Sequence, residues 1–206
     1  MTRLAILLST LIVVASAADP PALRLPQTVE PLRYSAVLTL DPAKPDFTSD
    51  ITISVRVKDP AVTLLWMNGT GIEIKNATVE ANGRTLAAKI VPGGEDFIGL
   101  QFDSPLPLGS ARLTAAYTAK VNTKASAGVF SNKVGNDRYL FTQFEPFDAR
   151  RAFPCFDEPG YKVPWQLTLR VPKGNEAFAN TSPVSTKQQE TTASFSSPRP
   201  SRSRVI

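Results

Sequence analysis

The chain has 206 residues, 42% hydrophobic and 20% charged, which is ordinary for a globular protein and excludes the fibrous and wholly disordered classes. The formal charge of +5 is modest, and Arg3, Arg199, Arg202 and Arg204 near the two ends supply much of it. No basic stripe interleaved with aromatics is present, so nucleic-acid binding is not indicated.

Residues 1–18 read as a secretory signal peptide. Arg3 gives a basic start, Leu4 to Val14 form an apolar run broken only by Ser9 and Thr10, and Ala15-Ser16-Ala17 supplies a small-residue cleavage site. The run is too short to span a bilayer comfortably. No later segment is long and apolar enough for a membrane span, so the mature chain is expected to be exported, to a periplasm or the extracellular space. There is a single cysteine, Cys155, which excludes an intrachain disulfide framework, so the fold must rest on its core. With no histidine in the chain to activate it, Cys155 reads as a buried, inert thiol rather than a nucleophile.

Residues 19–32 are rich in proline and should run extended. A strand follows over Arg33–Leu40, closed by Asp41-Pro42. Ile51, Ile53, Val55 and Val57 alternate with Thr52, Ser54, Arg56 and Lys58, a period of two with one face buried and one wet. Val62 to Met67 is a short apolar run before an Asn68-Gly69 turn. Ile72 and Ile74 alternate with Glu73 and Lys75. Ala77–Ala81 and Arg84–Val91 flank Asn82-Gly83, a hairpin signal because both central residues of a type I′ turn take positive φ. Phe97–Phe102 reads as a strand. The alternation over Arg112–Val121 is the clearest in the chain. Residues 122–138 are polar and read as a loop, Tyr139–Gln143 and Trp165–Val171 as strands, and Asp148–Ala152 as a short helical turn. Eight to ten strands joined by tight turns, without helical crossovers, predict an all-β fold, an antiparallel sandwich or open barrel, over residues 19–185. Trp66 and Trp165 are expected in its core, which weakens a carbohydrate-binding reading. Asn68, Asn76 and Asn180 begin glycosylation sequons that matter only in a host able to use them.

From Thr186 onward the period stops and the composition turns to Ser, Thr, Arg and Pro. Residues 186–206 are therefore expected to be a disordered tail.

The densest chemistry lies in Phe141–Pro159, FTQFEPFDARRAFPCFDEP. It follows neither helical nor strand period, and its charges need partners if tertiary contacts hold it. Arg150 and Arg151 forked with Asp148, Asp157 or Glu158 would pin such a loop. TQFEP-x-DARRAFPCFDEP resembles the segment of the zinc aminopeptidase N family that carries substrate-amine-binding residues on the N-terminal β domain. The resemblance spans roughly residues 25–185. It implies that Glu145 binds the substrate's α-ammonium and that Gln143 contacts its first residue. It also implies a zinc site, built on H-E-x-x-H and a downstream Glu, in a separate catalytic domain. This chain has no histidine, so no such site is expected in it, and the chain alone should be inactive. The expected partners are peptide N-termini and the catalytic domain. Phe147 stands where the family more often has Thr, and Phe47-Thr48-Ser49-Asp50 lacks the usual Gly after the Phe. In the family the tail region continues as a strand and an F-A-x-T-x-P-L-P-S-Y segment. Ser-Pro-Arg-Pro-Ser-Arg-Ser-Arg-Val-Ile can share codons with such text in a neighbouring frame, so a frameshift between about Thr186 and Ser197 is also expected, to be checked in the gene. The alternative is a secreted, non-catalytic β-sandwich that binds peptide or protein.

Overall fold

In the computed structural model, which describes residues 19–187 and 191–197, regular structure is almost entirely strand. The predicted signal peptide lies outside the described residues. Eight strands form one large sheet: β1 (Val29–Thr39), β2 (Asp46–Val57), β4 (Ile72–Ala81), β5 (Arg84–Ala87), β8 (Gly109–Lys120), β11 (Trp165–Val171), β12 (Pro183–Lys187) and β13 (Thr191–Ser197). Three more, β3 (Leu64–Asn68), β6 (Lys89–Gly93) and β7 (Phe97–Gln101), form a small sheet, and β9 (Gly128–Val134) with β10 (Asp137–Gln143) forms a hairpin. The large sheet runs β12-β13-β11-β1-β2-β8-β4-β5 and does not close into a barrel. Of the two expected forms, the sandwich is the one observed. Its pairing is antiparallel except where β1 meets β11.

The alternation read in β2 and β8 becomes a continuous inner face. Ile51 sits opposite Ala36 on one side and Ala115 on the other, and Ile53 sits between Tyr34 and Leu113. These residues share one buried cluster with Leu65, Met67 and Leu100 of the small sheet. On the wet face, hydroxyls and charges line up across strands, for example Thr52 with Thr114 and Arg112 with Glu80. Pro31 cannot donate to the ladder, and the register of β1 shifts between it and Arg33. Gly99 is dictated by packing: a Cβ there would fall 2.9 Å from the Trp66 ring, which covers its backbone.

Four sequence expectations are corrected. The segment 122–138 contains β9, which has β10 as its hairpin partner. Arg84–Val91 is not one strand: it breaks at Ala88 into β5 of the large sheet and β6 of the small one. Thirteen strands, not eight to ten, are present among the described residues. Finally, the order expected to end near 186 continues. The segment 191–197 pairs with β11 over seven residues, and Ala193 and Phe195 are buried. A Ser/Thr-rich strand needs only a few inward apolar residues when a neighbouring edge supplies the hydrogen bonds. Residues 188–190 and 198–206 lie outside the described residues.

Candidate functional site

The loop between β10 and β11 is held from three strands. Asn68, at the end of β3 and only 3% exposed, exchanges backbone hydrogen bonds with Cys155 at 2.8 and 3.0 Å. Its side-chain Oδ1 accepts the Asp157 N–H at 3.0 Å. The Tyr34 hydroxyl of β1 accepts the Phe156 N–H at 2.9 Å, and the Tyr117 hydroxyl of β8 donates to the Ala152 carbonyl at 2.8 Å. Three side chains of the sandwich thus satisfy backbone groups of the irregular segment, as burial of its backbone demands. A run of aromatic contacts links Phe144 to Phe153 (5.3 Å between centroids), Phe153 to Trp165 (4.6 Å), and Trp165 to Tyr34, which stack at 4.2 Å.

The charges of the loop are arranged as a clamp. Arg150 is 13% exposed; its Nε donates to Asp157 Oδ2 at 3.0 Å, its Nη1 lies 3.7 Å from Asp96, and its guanidinium lies over the Phe147 ring at 5.7 Å. Arg151 Nε donates to Asp148 Oδ1 at 2.7 Å, across the single 3-10 turn Ala149–Arg151. Glu158 Oε1 accepts the Leu25 N–H at 3.1 Å, tying the extended N-terminal segment to the loop. The scaffold role expected for these five charged residues is the role they have here. Burial, with Asp157 nearby, pushes the Cys155 thiol well up, so it stays protonated and unreactive. Burial also raises Tyr34 and Tyr117, keeping both hydroxyls neutral and able to donate.

Gln143 ends β10 and pairs in register with Gly128. Gly128 has φ of +65°, and a Cβ on it would lie 2.6 Å from the Arg151 Cβ, so only glycine lets the 3-10 turn lie against the start of the hairpin. Gln143 is exposed; its Oε1 accepts the Phe144 N–H at 3.0 Å, and among the described residues its amide N–H groups have no partner. Glu145 follows, exposed, at a cis bond to Pro146. Among the described residues its carboxylate has no ion pair or hydrogen bond, because Arg150 and Arg151 are taken by other acids. The two residues singled out in the sequence therefore lie next to each other on a braced rim. The braces themselves were missed. Asn68 read as a turn residue and a sequon, yet it is buried and its side chain is engaged. The available signal was a polar residue closing the apolar stretch Leu64–Met67.

Residues 30–202 match the family model of the peptidase M1 N-terminal domain. The chain belongs to this family. It is 31% identical over 160 residues to aminopeptidase M1-D of Oryza sativa subsp. japonica, covering 76% of this chain and 18% of that protein. Similar likeness is found to aminopeptidase M1 of Arabidopsis thaliana (31% over 166 residues, 76% of this chain, 19% of that protein) and aminopeptidase 2 of Candida albicans (32% over 165 residues, 77% and 17%). The chain thus spans less than a fifth of the length of these relatives. Among its described residues no group of three or more His, Cys, Asp or Glu side chains could hold a metal ion, and no helix is long and apolar enough to cross a membrane.

Proposed function

We propose that this peptidase M1 N-terminal domain anchors the free amine of a peptide for an exported, zinc-dependent aminopeptidase, with Glu145 as the ammonium acceptor and Gln143 as the contact to the first residue. The observation that supports this reading is the Glu145 carboxylate, which among the described residues has no ion pair or hydrogen bond, on a loop whose two arginines are both held by other acids. An unpaired acid beside a braced turn costs no internal bond when a ligand takes it, and a carboxylate–ammonium hydrogen bond is about twice as strong as a neutral one. Fixing the amine fixes which peptide bond comes next, so binding at Glu145 sets cleavage one residue in. Gln143 adds amide donors at a second point and so constrains orientation.

Zinc does not fit the residues of this chain, which has no histidine; the donors and the general base would belong to a catalytic domain, and the chain alone would not hydrolyse peptides. The signal peptide supports export to a periplasm or the extracellular space.

The test is a chimera in which residues 19–197 replace the corresponding part of rice aminopeptidase M1-D. The expected result is hydrolysis of an aminoacyl anilide, with Glu145→Gln raising KM by roughly 10- to 100-fold, as expected for losing a charged hydrogen bond of about 1.5–3 kcal/mol. An active chimera indifferent to Glu145→Gln would defeat the assignment and favour a non-catalytic binding module.

A further inference from the structure

The sequence contains two Asn-Gly dipeptides, Asn68-Gly69 and Asn82-Gly83. Such a pair carries a chemistry of its own. The main-chain nitrogen after an asparagine can attack the side-chain amide carbon, and glycine at the second position puts no side chain in the way. The fold places the two dipeptides in opposite circumstances.

Asn68 closes β3 and is 3% exposed. Its Oδ1 accepts the Asp157 N–H at 3.0 Å, and the Gly69 N–H donates to the Asp96 carbonyl at 3.0 Å. A Cβ on Gly69 would run into the Ile98 side chain, so the dipeptide is packed as well as bonded. The attacking nitrogen and the attacked amide are both engaged, and bringing them together would break the brace of the loop after β10.

Asn82 and Gly83 form the turn between β4 and β5, with φ of +51° and +72°, and both are exposed. Among the described residues neither the Asn82 side chain nor the Gly83 N–H has a hydrogen-bond partner. A Cβ on Gly83 would meet nothing within 4 Å, so water reaches the turn from outside. Ring closure requires the turn to swing open, and the strand behind it is weakly held. β5 has four residues, three of them exposed, ends the large sheet and pairs with β4 alone. Such an edge opens locally at little cost.

We propose that Asn82 is a site of spontaneous deamidation and that Asn68, in the same dipeptide, is not. The Gly83 nitrogen gives its proton to solvent base and bonds to the Asn82 side-chain carbon. The bond from that carbon to Nδ2 breaks, and Nδ2 leaves as ammonia after taking a proton from solvent. Water then adds to the cyclic imide and opens one of its two carbon–nitrogen bonds, leaving aspartate or isoaspartate. Water is consumed, ammonia is released, and nothing is oxidised or reduced. Isoaspartate routes the main chain through the former side chain and lengthens it by one methylene. A two-residue turn fixes the register of its hairpin and has no slack for that, so the pairing of Ala81 with Arg84 is lost and β5 loosens.

The experiment holds the chain at mildly alkaline pH, folded in buffer or unfolded in urea, and follows conversion by tryptic digestion and mass spectrometry. The peptide of residues 76–84 holds Asn82 together with Asn76, which precedes Ala77 and serves as an internal control; residues 59–75 hold Asn68. The expected result is conversion of Asn82 at least ~10-fold faster than Asn68 in buffer, with the two within about 3-fold of each other in urea. Asn68 converting as fast as Asn82 in buffer overturns the proposal. So does an Asn82 that converts in urea but is inert in buffer, or that is inert in both. The isoaspartyl chain, separated by ion exchange, is expected to exchange the amide of Leu86, which faces Val79 across the hairpin, at least ~10-fold faster than the unconverted chain. Unchanged exchange at Leu86 overturns the loosening of β5.

Discussion

Two parts of the same large sheet carry the same inner-face pattern and end in different states. Under the small sheet, Ile53, Val55, Val79, Leu113 and Ala115 are all 0% exposed. Two to four strands away in the same sheet, Trp165, Leu167, Leu169 and Val171 of β11 repeat the alternation yet remain half-buried beside a cleft. The difference lies in what is placed across from them. Alternation selects a face; only a second layer buries it. The covered part holds the domain together, and the open part leaves surface for a partner or ligand.

Substitutions on the two parts of the sheet should differ in cost. Leu113→Ala in the covered part is expected to cost about 2–5 kcal/mol by urea unfolding, whereas Leu169→Ala in the open part is expected to cost less than half as much. Equal losses would show that the cleft is as well packed as the core. Asn68→Ala and Tyr34→Phe, which strand the Asp157 and Phe156 amides, should each cost roughly 1–3 kcal/mol and raise exchange at those amides. Gly128→Ala should cost about 1–2 kcal/mol for its left-handed backbone alone, with NMR shifts spreading to Arg151 and Gln143. Fully native shifts at both would disprove the packing of the 3-10 turn on the hairpin.

The buried acids of the brace add a pH dependence. Cys155, Tyr34 and Tyr117 all have raised native pKa values, so their contribution is fully present below the unfolded values, ~8.5 for Cys and ~10 for Tyr. Above these the unfolded chain releases protons that the native state keeps, and stability falls as pH rises. Urea midpoints should be level from pH 7 to 8 and decline toward pH 11, less steeply in Tyr117→Phe. The smallest effect is expected at the site itself: Glu145→Gln should change stability by no more than about 0.5 kcal/mol, as for an exposed unpaired side chain.

The sequence made the covered part legible because period two over β2 and β8 survives in any context that buries one face. It also marked the Phe141–Pro159 run as a loop pinned by its own charges, which the Arg150–Asp157 and Arg151–Asp148 pairs bear out. It did not reveal β9, where Ser131, Asn132 and Lys133 hide the alternation of a hairpin exposed on one side. It did not reveal β13, where the buried apolar side chains are Ala193 and Phe195 in a run otherwise of Ser and Thr. Nor could it assign Asn68, Tyr34 and Tyr117 to the loop they brace, because those contacts cross 35 to 122 positions of chain and leave no local pattern.

The parallel pairing of β1 with β11 sets an order in time. Tyr34 lies beside Trp165, so the sheet cannot extend past β1 until the chain has been made through the signature loop. β2, β8 and β4 can zip together once residue 120 is available, while β1 waits with one edge bare. Such long-range closure slows folding. A chain that emerges vectorially would hold the Glu145 loop unformed while β2, β8 and β4 pair, so the loop takes its shape only after the centre of the sheet has committed to its fold.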